Sequence, residues 1–566
     1  MTDLIVPTAQ GKLKGKVFGK VYEKPFLGFL GIPYAKAPVG DLRFKPPQDP
    51  EPWVGIKNCT KEGTPCPSKH LSFKFYIGNE DNCLNLNVFT RQTKNVTTPK
   101  PVLFFIHGGA FILGNNRTEV YGPDFLMAEE IVVVVINYRL GVLGFLAIED
   151  DSYGIPGNAG LKDQVMALKW VQRNILNFGG DPNNVTIVGQ SAGSIACHFL
   201  MLSPLAKGLF HRAILASGVA LNTWATGGTY NLHKLGYLLG YMEQDDKSIF
   251  EKLKKEPLKN IVAAQYEYKD DCLLDKIRPF VPIVEKPSKD AFISDLPINI
   301  IKSGNYNKVP FMIGYTTNEG MLFELLRMIM TWNKIPKSLD NEIPHDVPHN
   351  GDVEKINTIK EKVKNYYFKG NEVGKKTYSD ILNMKSDSAF RYHIQKAIKL
   401  HQETNDKPMY FYKFSHEGPF NYTKKLVAVT SRILLYILLA LAFMTKLIPP
   451  INNFFHFLIQ KLPMRENLKG TSHCDDVGYL WKYRIHPKIR PGSPEDFYVR
   501  RMVKLWTNFV KYENPTPEVD NEHFEGVLWK PISKTDLPCL NIDETLEMVK
   551  NPDKERYQFW DSIYSL

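Results

Sequence analysis

The chain has 566 residues, 43% of them hydrophobic and 12% aromatic, which is enough to bury a large core. Its 71 Lys and Arg against 60 Asp and Glu leave a formal charge of +11. Those basic residues are spread out, with no arginine-rich block and no nucleic-acid module, so no nucleic-acid partner is expected. Seven scattered cysteines without C-x-x-C spacing make no disulfide framework and no zinc site, and neither a metal nor another cofactor is expected.

The N-terminal MTDLIVPTAQGKLKGKVFGK holds no apolar run of signal-peptide length, and the C-terminal DSIYSL is no retention signal. Cytoplasmic residence is the expectation, with secretion only if the N-terminus is incomplete. Five Asn-x-Ser/Thr sequons, at Asn58, Asn95, Asn116, Asn184 and Asn421, would matter only in the secretory pathway.

Short strand and loop patterns fill the first hundred residues. PVLFFIHGG (101–109) and EEIVVVVINYRLG (129–141) read as strands buried on both faces. Residues 158–180 carry a helical spacing in Leu161, Val165, Leu168, Val171 and Ile175, with a stop predicted at Gly179-Gly180. VTIVG is the next strand, SIACHFLML a helix and HRAILASG another strand. This alternation predicts an α/β chain with a mainly parallel sheet covered on both sides. No linker stands out, so residues 1–566 are expected to form one catalytic domain.

At 187–194 the run IVGQSAGS breaks a strand abruptly around Ser191. G-x-S-x-G is the nucleophile-elbow pattern, in which a strained strand-to-helix turn exposes a serine. A serine hydroxyl needs a base, and the base an orienting acid, in the chain order Ser, acid, His. Glu319 in VPFMIGYTTNEGMLF (309–323) and His473 in KGTSHCDDVGYLW (469–481) fit. Asp475 and Asp476 are rival acids, but they adjoin His473, and the acid should approach the imidazole from its far nitrogen. His198 and His107 read as structural. HGGAF (107–111) offers the N–H groups of Gly109 and Ala110 to an oxyanion, and Ala192 a third donor.

The sequence resembles the type-B carboxylesterase/cholinesterase family across nearly its full length. The resemblance rests on GIPYAKAPVGDLRFKPP (31–47), GNAGLKDQ (157–164), FGGDPNNVTIVGQSAG (178–193), GYTTNEG (314–320) and GTSHCDD (470–476). HGGAF, GQSAG and SGVALNTWA (217–225) look most like the insect α-esterase branch. The resemblance implies an α/β-hydrolase fold that cleaves carboxylic esters through an acyl-enzyme, with small-molecule xenobiotic, dietary or lipid esters as substrates and organophosphates as inhibitors. It implies Ser191 as nucleophile, Glu319 as acid, His473 as base, and Gly109, Ala110 and Ala192 as oxyanion donors. Trp224 reads as a wall of the acyl pocket or as a core tryptophan.

It also implies a pairing of Cys66 with Cys83, which a reducing cytosol would leave as thiols. The family's E-D-C-L element appears as EDNCL (80–84), so either Glu80 or Asp81 could pair with Arg43. Juvenile hormone esterase is the nearest alternative function. A cholinesterase is disfavoured because 67–82 contains no tryptophan for a cation cage, and a non-catalytic adhesion relative because the serine is intact.

One stretch departs from the family. LVAVTSRILLYILLALAFM (426–444) has a single charge, Arg432, and LIPPINNFFHFLIQKL (447–462) follows, broken by Pro449-Pro450. The reading is an apolar insertion at about 426–463, forming two helices that pack beside the pocket or contact a membrane surface. Translated non-coding sequence is the alternative.

Overall fold

The computed structural model describes residues 4–21, 24–70, 75–93, 97–267, 280–330, 335–348, 351–429, 432–444, 455, 458–459 and 468–566. Eleven strands among them form one sheet: β1 (Lys16–Val21), β2 (Lys24–Pro33), β3 (Asn85–Thr90), β4 (Lys100–Ile106), β5 (Val132–Ile136), β6 (Gly180–Gln190), β7 (Arg212–Ala216), β8 (Phe311–Thr316), β9 (Met409–Phe414), β10 (Pro538–Ile542) and β11 (Leu546–Lys550). Their order across the sheet is β11-β10-β9-β8-β7-β6-β4-β5-β3-β2-β1. Every pairing from β10 to β5 is parallel, and the flanking pairings are antiparallel. A separate three-stranded sheet joins Ile5–Thr8, Gly11–Lys14 and Ile56–Asn58.

The apolar runs alternate between two cores. Val102, Phe104 and Ile106 of β4, with Val132, Val134 and Ile136 of β5, face the helices Ala159–Asn174 and Ala192–Leu202. Leu103 and Phe105, with Val133 and Val135, face the other way, onto the helix Pro494–Tyr512 through Val499, Met502 and Trp506. Each fully buried aliphatic or aromatic side chain contributes roughly 1.5–3 kcal/mol, so a strand apolar on both faces is fixed at the centre of the molecule.

The predicted stop at Gly179 holds: the helix Ala159–Asn174 tightens into a 3₁₀ turn over Ile175–Phe178, and Gly179 closes it at φ 78°. The next strand is longer than VTIVG. It starts at Gly180 and shifts register against β4 between Gly180 and Val185.

In the apolar insertion, a helix spans Arg432–Met444, preceded by a separate helix at Tyr422–Ala428. Leu435 and Leu438 are buried in the second core, while Ile437 is 50% exposed. The expected second helix and its proline break lie mostly outside the described residues, of which Phe455 and Ile459 are buried in the same core. No helix among the described residues is long and apolar enough to cross a membrane.

Candidate active site

Ser191 sits where β6 ends and the helix Ala192–Leu202 begins, at the C-terminal edge of the parallel sheet. Its backbone is at φ 58°, ψ −126°, a conformation that costs a non-glycine residue of the order of 1–3 kcal/mol. The strain therefore sits on the serine itself. The two flanking glycines serve close approach: a Cβ on Gly189 would lie 2.1 Å from the Gly193 carbonyl oxygen, and one on Gly193 2.0 Å from that of Ile106.

Glu319 follows β8 and is fully buried. One carboxylate oxygen accepts from Ser217 Oγ and from the Thr316 N–H, both at 2.7 Å. The other meets His473 Nδ1 at 2.5 Å. His473 lies on a loop tied to the strand ends by long-range bonds. Thr471 Oγ donates to the Phe414 carbonyl at 2.7 Å, the Thr471 N–H donates to Thr317 Oγ at 2.7 Å, and the Asn318 N–H donates to the Thr471 carbonyl at 2.8 Å. Burial pushes the His473 imidazole down, but the adjoining Cys474 and the Glu319 carboxylate outweigh it and hold it well above its ordinary value. Burial alone would raise Glu319; the His473 partnership holds it below its usual range.

The rival acids are engaged elsewhere. Asp475 accepts from the N–H groups of Ser472 and Thr423 at 2.7 and 3.0 Å, and burial pushes it up to about 7. Asp476 is raised to about 6 by burial and accepts from the Tyr412 hydroxyl at 3.3 Å. His198 is buried against His401 at 2.9 Å, and His107 is stacked on Tyr138.

A cavity of about 530 Å³ opens onto Ser191, His473, Gly109, Ala110 and Trp224. Leu322, Leu325 and Leu326, from the helix Met321–Met330, supply an apolar wall. Ala192 is fully buried at the start of its helix, one residue past Ser191. Trp224 donates its indole N–H to the Ala389 carbonyl at 3.0 Å, so it presents carbon rather than a polar atom to the space.

Three neighbours escaped the sequence reading. Ser217 anchors Glu319, and it sits at a positive φ of 60° directly after β7. Phe390 packs 4.9 Å from the His473 ring and 5.5 Å from Trp224, from a π-helical turn over Asp387–Arg391. The Gln190 amide nitrogen lies 3.1 Å from His473 Nε2, a contact spanning 283 residues. With Nδ1–H given to Glu319, neutral His473 offers Nε2 as an acceptor, and the amide can donate to it. Gln190 and Ser217 stood inside GQSAG and SGVALNTWA, though neither stretch pointed to these contacts; Phe390 left no trace in the sequence.

Near the N-terminus, Cys66 and Cys83 are joined by a disulfide with their Cα atoms 4.7 Å apart. Arg43 grips Glu80 at 2.5 and 3.0 Å, whereas Asp81 accepts from Asn79, so the acidic partner is Glu80.

The carboxylesterase family model matches residues 2–560, and the chain belongs to this family. It is a carboxylic ester hydrolase. It is 31% identical to Esterase B1 of Culex pipiens, over all of this chain and 98% of that protein. It is 30% identical to Venom carboxylesterase-6 of Apis mellifera, over 93% of this chain and 94% of that protein. Among solved structures, the juvenile hormone esterase of Manduca sexta with OTFP covalently attached superposes with a TM-score of 0.82 at 28% identity, covering all of both chains. These findings support the α/β-hydrolase fold and small-molecule esters and inhibitors as ligands.

They also correct one expectation. Cytoplasmic residence, with or without membrane contact, does not stand, because the relatives include an enzyme named for a venom and juvenile hormone esterases.

Proposed function

We propose that the chain works as one catalytic unit, a serine esterase in which Ser191, His473 and Glu319 form the triad. Ser191 Oγ attacks the ester carbonyl while His473 Nε2 accepts its proton, and Glu319 holds the imidazolium through Nδ1. The tetrahedral oxyanion rests on the N–H groups of Gly109, Ala110 and Ala192, each worth ~3–4 kcal/mol to the transition state. The imidazolium protonates the departing alcohol, and water then cleaves the acyl-enzyme by the same steps.

The single observation that carries this reading is the 2.5 Å His473–Glu319 pair, buried at the cavity that also exposes the strained Ser191. The apolar cavity favours uncharged xenobiotic, dietary or lipid esters over cationic ones. Organophosphates phosphorylate Ser191 and stop turnover at one inhibitor per chain.

Ser191→Ala should lower hydrolysis of a short-chain aryl ester by about 10⁶ in kcat. Turnover unchanged in that variant, or an organophosphate label found on a peptide lacking Ser191, would sink the proposal. A second reading, juvenile hormone esterase, is favoured by the full-length similarity to the Manduca sexta enzyme. A panel that sets the hormone against aryl and long-chain esters by kcat/KM separates the two.

A further inference from the structure

The five sequons are not absorbed by the ester chemistry, and the structure sorts them sharply. Asn116 is 1% exposed, and its amide nitrogen donates to the carbonyl oxygens of the Asn85 side chain and backbone at 3.1 and 3.3 Å. Asn421, equally buried, donates to the His416 carbonyl at 3.0 Å and accepts from the Gly418 N–H and the Tyr479 hydroxyl. A sugar on either nitrogen would leave no room for the native core. Asn184 is half-buried, with its carbonyl tied to Arg212, and Asn95 lies outside the described residues.

Asn58 is different. It is exposed, at the end of the edge strand Ile56–Asn58. Its side-chain oxygen accepts from Thr60 Oγ at 2.7 Å and from the Thr60 N–H at 3.1 Å. The sequon therefore folds on itself through the carbonyl oxygen, and the amide nitrogen, the atom that would carry a sugar, takes no part in those bonds.

We propose that Asn58 carries an N-linked oligosaccharide. In the transfer, the Asn58 amide nitrogen loses a proton and bonds to the anomeric carbon of an oligosaccharide carried on a polyprenyl pyrophosphate. The carbon–oxygen bond to the pyrophosphate breaks, and the lipid pyrophosphate leaves with the electron pair. Attachment precedes folding, so the folded structure acts as a filter: it accommodates a glycan at Asn58 and excludes one at Asn116 or Asn421. The oxidising lumen that supplies this chemistry also closes the Cys66–Cys83 bond.

The glycan has something to cover. Val54 is fully exposed and Ile56 is 52% exposed, beside the open hydrogen-bonding edge of the three-stranded sheet. Unprotected apolar edges of this kind pair with other chains, and a bulky solvated sugar at the strand's end blocks the approach. Asn58 is not among the residues that line the ester cavity.

The test is to produce the full chain through the secretory pathway of cultured insect cells and map the sequons by mass spectrometry. Deglycosylation in ¹⁸O-water marks each occupied asparagine as a labelled aspartate. The label is expected on Asn58 and not on Asn116 or Asn421. Asn58→Gln and Thr60→Ala should each remove one oligosaccharide from the intact mass while ester turnover stays unchanged. Secreted, folded protein with Asn58 bare, a sugar on Asn116 or Asn421 in that protein, or retention of an unglycosylated chain inside the cell would overturn the proposal. Because occupancy is read by mass, its failure is distinguishable from failure of the serine-esterase reading.

Discussion

The two halves of the candidate site are built on opposite principles. The nucleophile side is local: one strand, one strained residue and one helix in immediate succession place Ser191, with Gly189 and Gly193 giving the backbone its clearance. The base side is assembled from afar. His473 is held by Glu319 and by a loop tied to Phe414 and Thr317, all more than fifty residues away in sequence. A local device fails as a fold, whereas a long-range one fails as a geometry.

Five substitutions break or sharpen that contrast. Glu319→Gln removes the charge at Nδ1 and leaves the shape, so kcat should fall by ~10⁴ with the melting temperature little changed. Comparable kcat would mean that the base is oriented by something else. On the nucleophile side, Gly193→Ala forces a methyl against the Ile106 carbonyl and should cost ~3 kcal/mol of stability, read by denaturant unfolding. An unchanged midpoint would show that the elbow can shift.

Paired threonines compare the halves directly. Thr471→Val deletes a buried hydroxyl bonded to Phe414 and Thr317, and should lower kcat by up to ~100-fold while KM holds. Thr186→Val, in β6, deletes a buried hydroxyl that has no hydrogen-bond partner among the described residues, and should leave stability and turnover within a factor of two or so. Equal effects would erase the distinction between the two sides.

The smallest effect is a pH shift. His473 must be neutral to accept a proton, and its pKa is raised, so the acid limb of kcat/KM should lie above pH 6.5. Gln190→Glu puts a carboxylate where an amide donor meets Nε2, which favours the imidazolium and should move the limb up by about one more unit. A limb that stays in place would show that Gln190 does not touch the base during turnover.

The same contrast explains what could be read from the sequence. Ser191 and the cavity-lining Gly109 and Ala110 could be picked out because strand and turn follow one another in the text. Glu319 and His473 were legible from chain order and their loop contexts, but not their contact, which depends on how β8 and β9 lie side by side. Ser217, although it opens SGVALNTWA, and Phe390 gave no sign of their contacts, which arise from register across the sheet and from a helix that widens by one residue. The choice of Glu80 over Asp81 depends on which carboxylate reaches Arg43 across 37 residues, and no spacing rule supplies that. The localisation expectation failed because it leaned on the two ends of the sequence, which carry no account of the company the fold keeps.

The π-helical turn at Asp387–Arg391 couples two properties that enzymes often tune apart. It lies between the helices Tyr378–Ser386 and Tyr392–Thr404, and the i→i+5 winding turns Phe390 inward against both His473 and Trp224. Its Ala389 carbonyl holds the Trp224 indole and, at 2.6 Å, the Asn222 amide. Deleting one residue there would rewind the segment to an ordinary helix and withdraw the ring and the carbonyl together. The wall of the cavity and the packing on His473 thus share a single hinge pin: a change at this turn alters both in the same step.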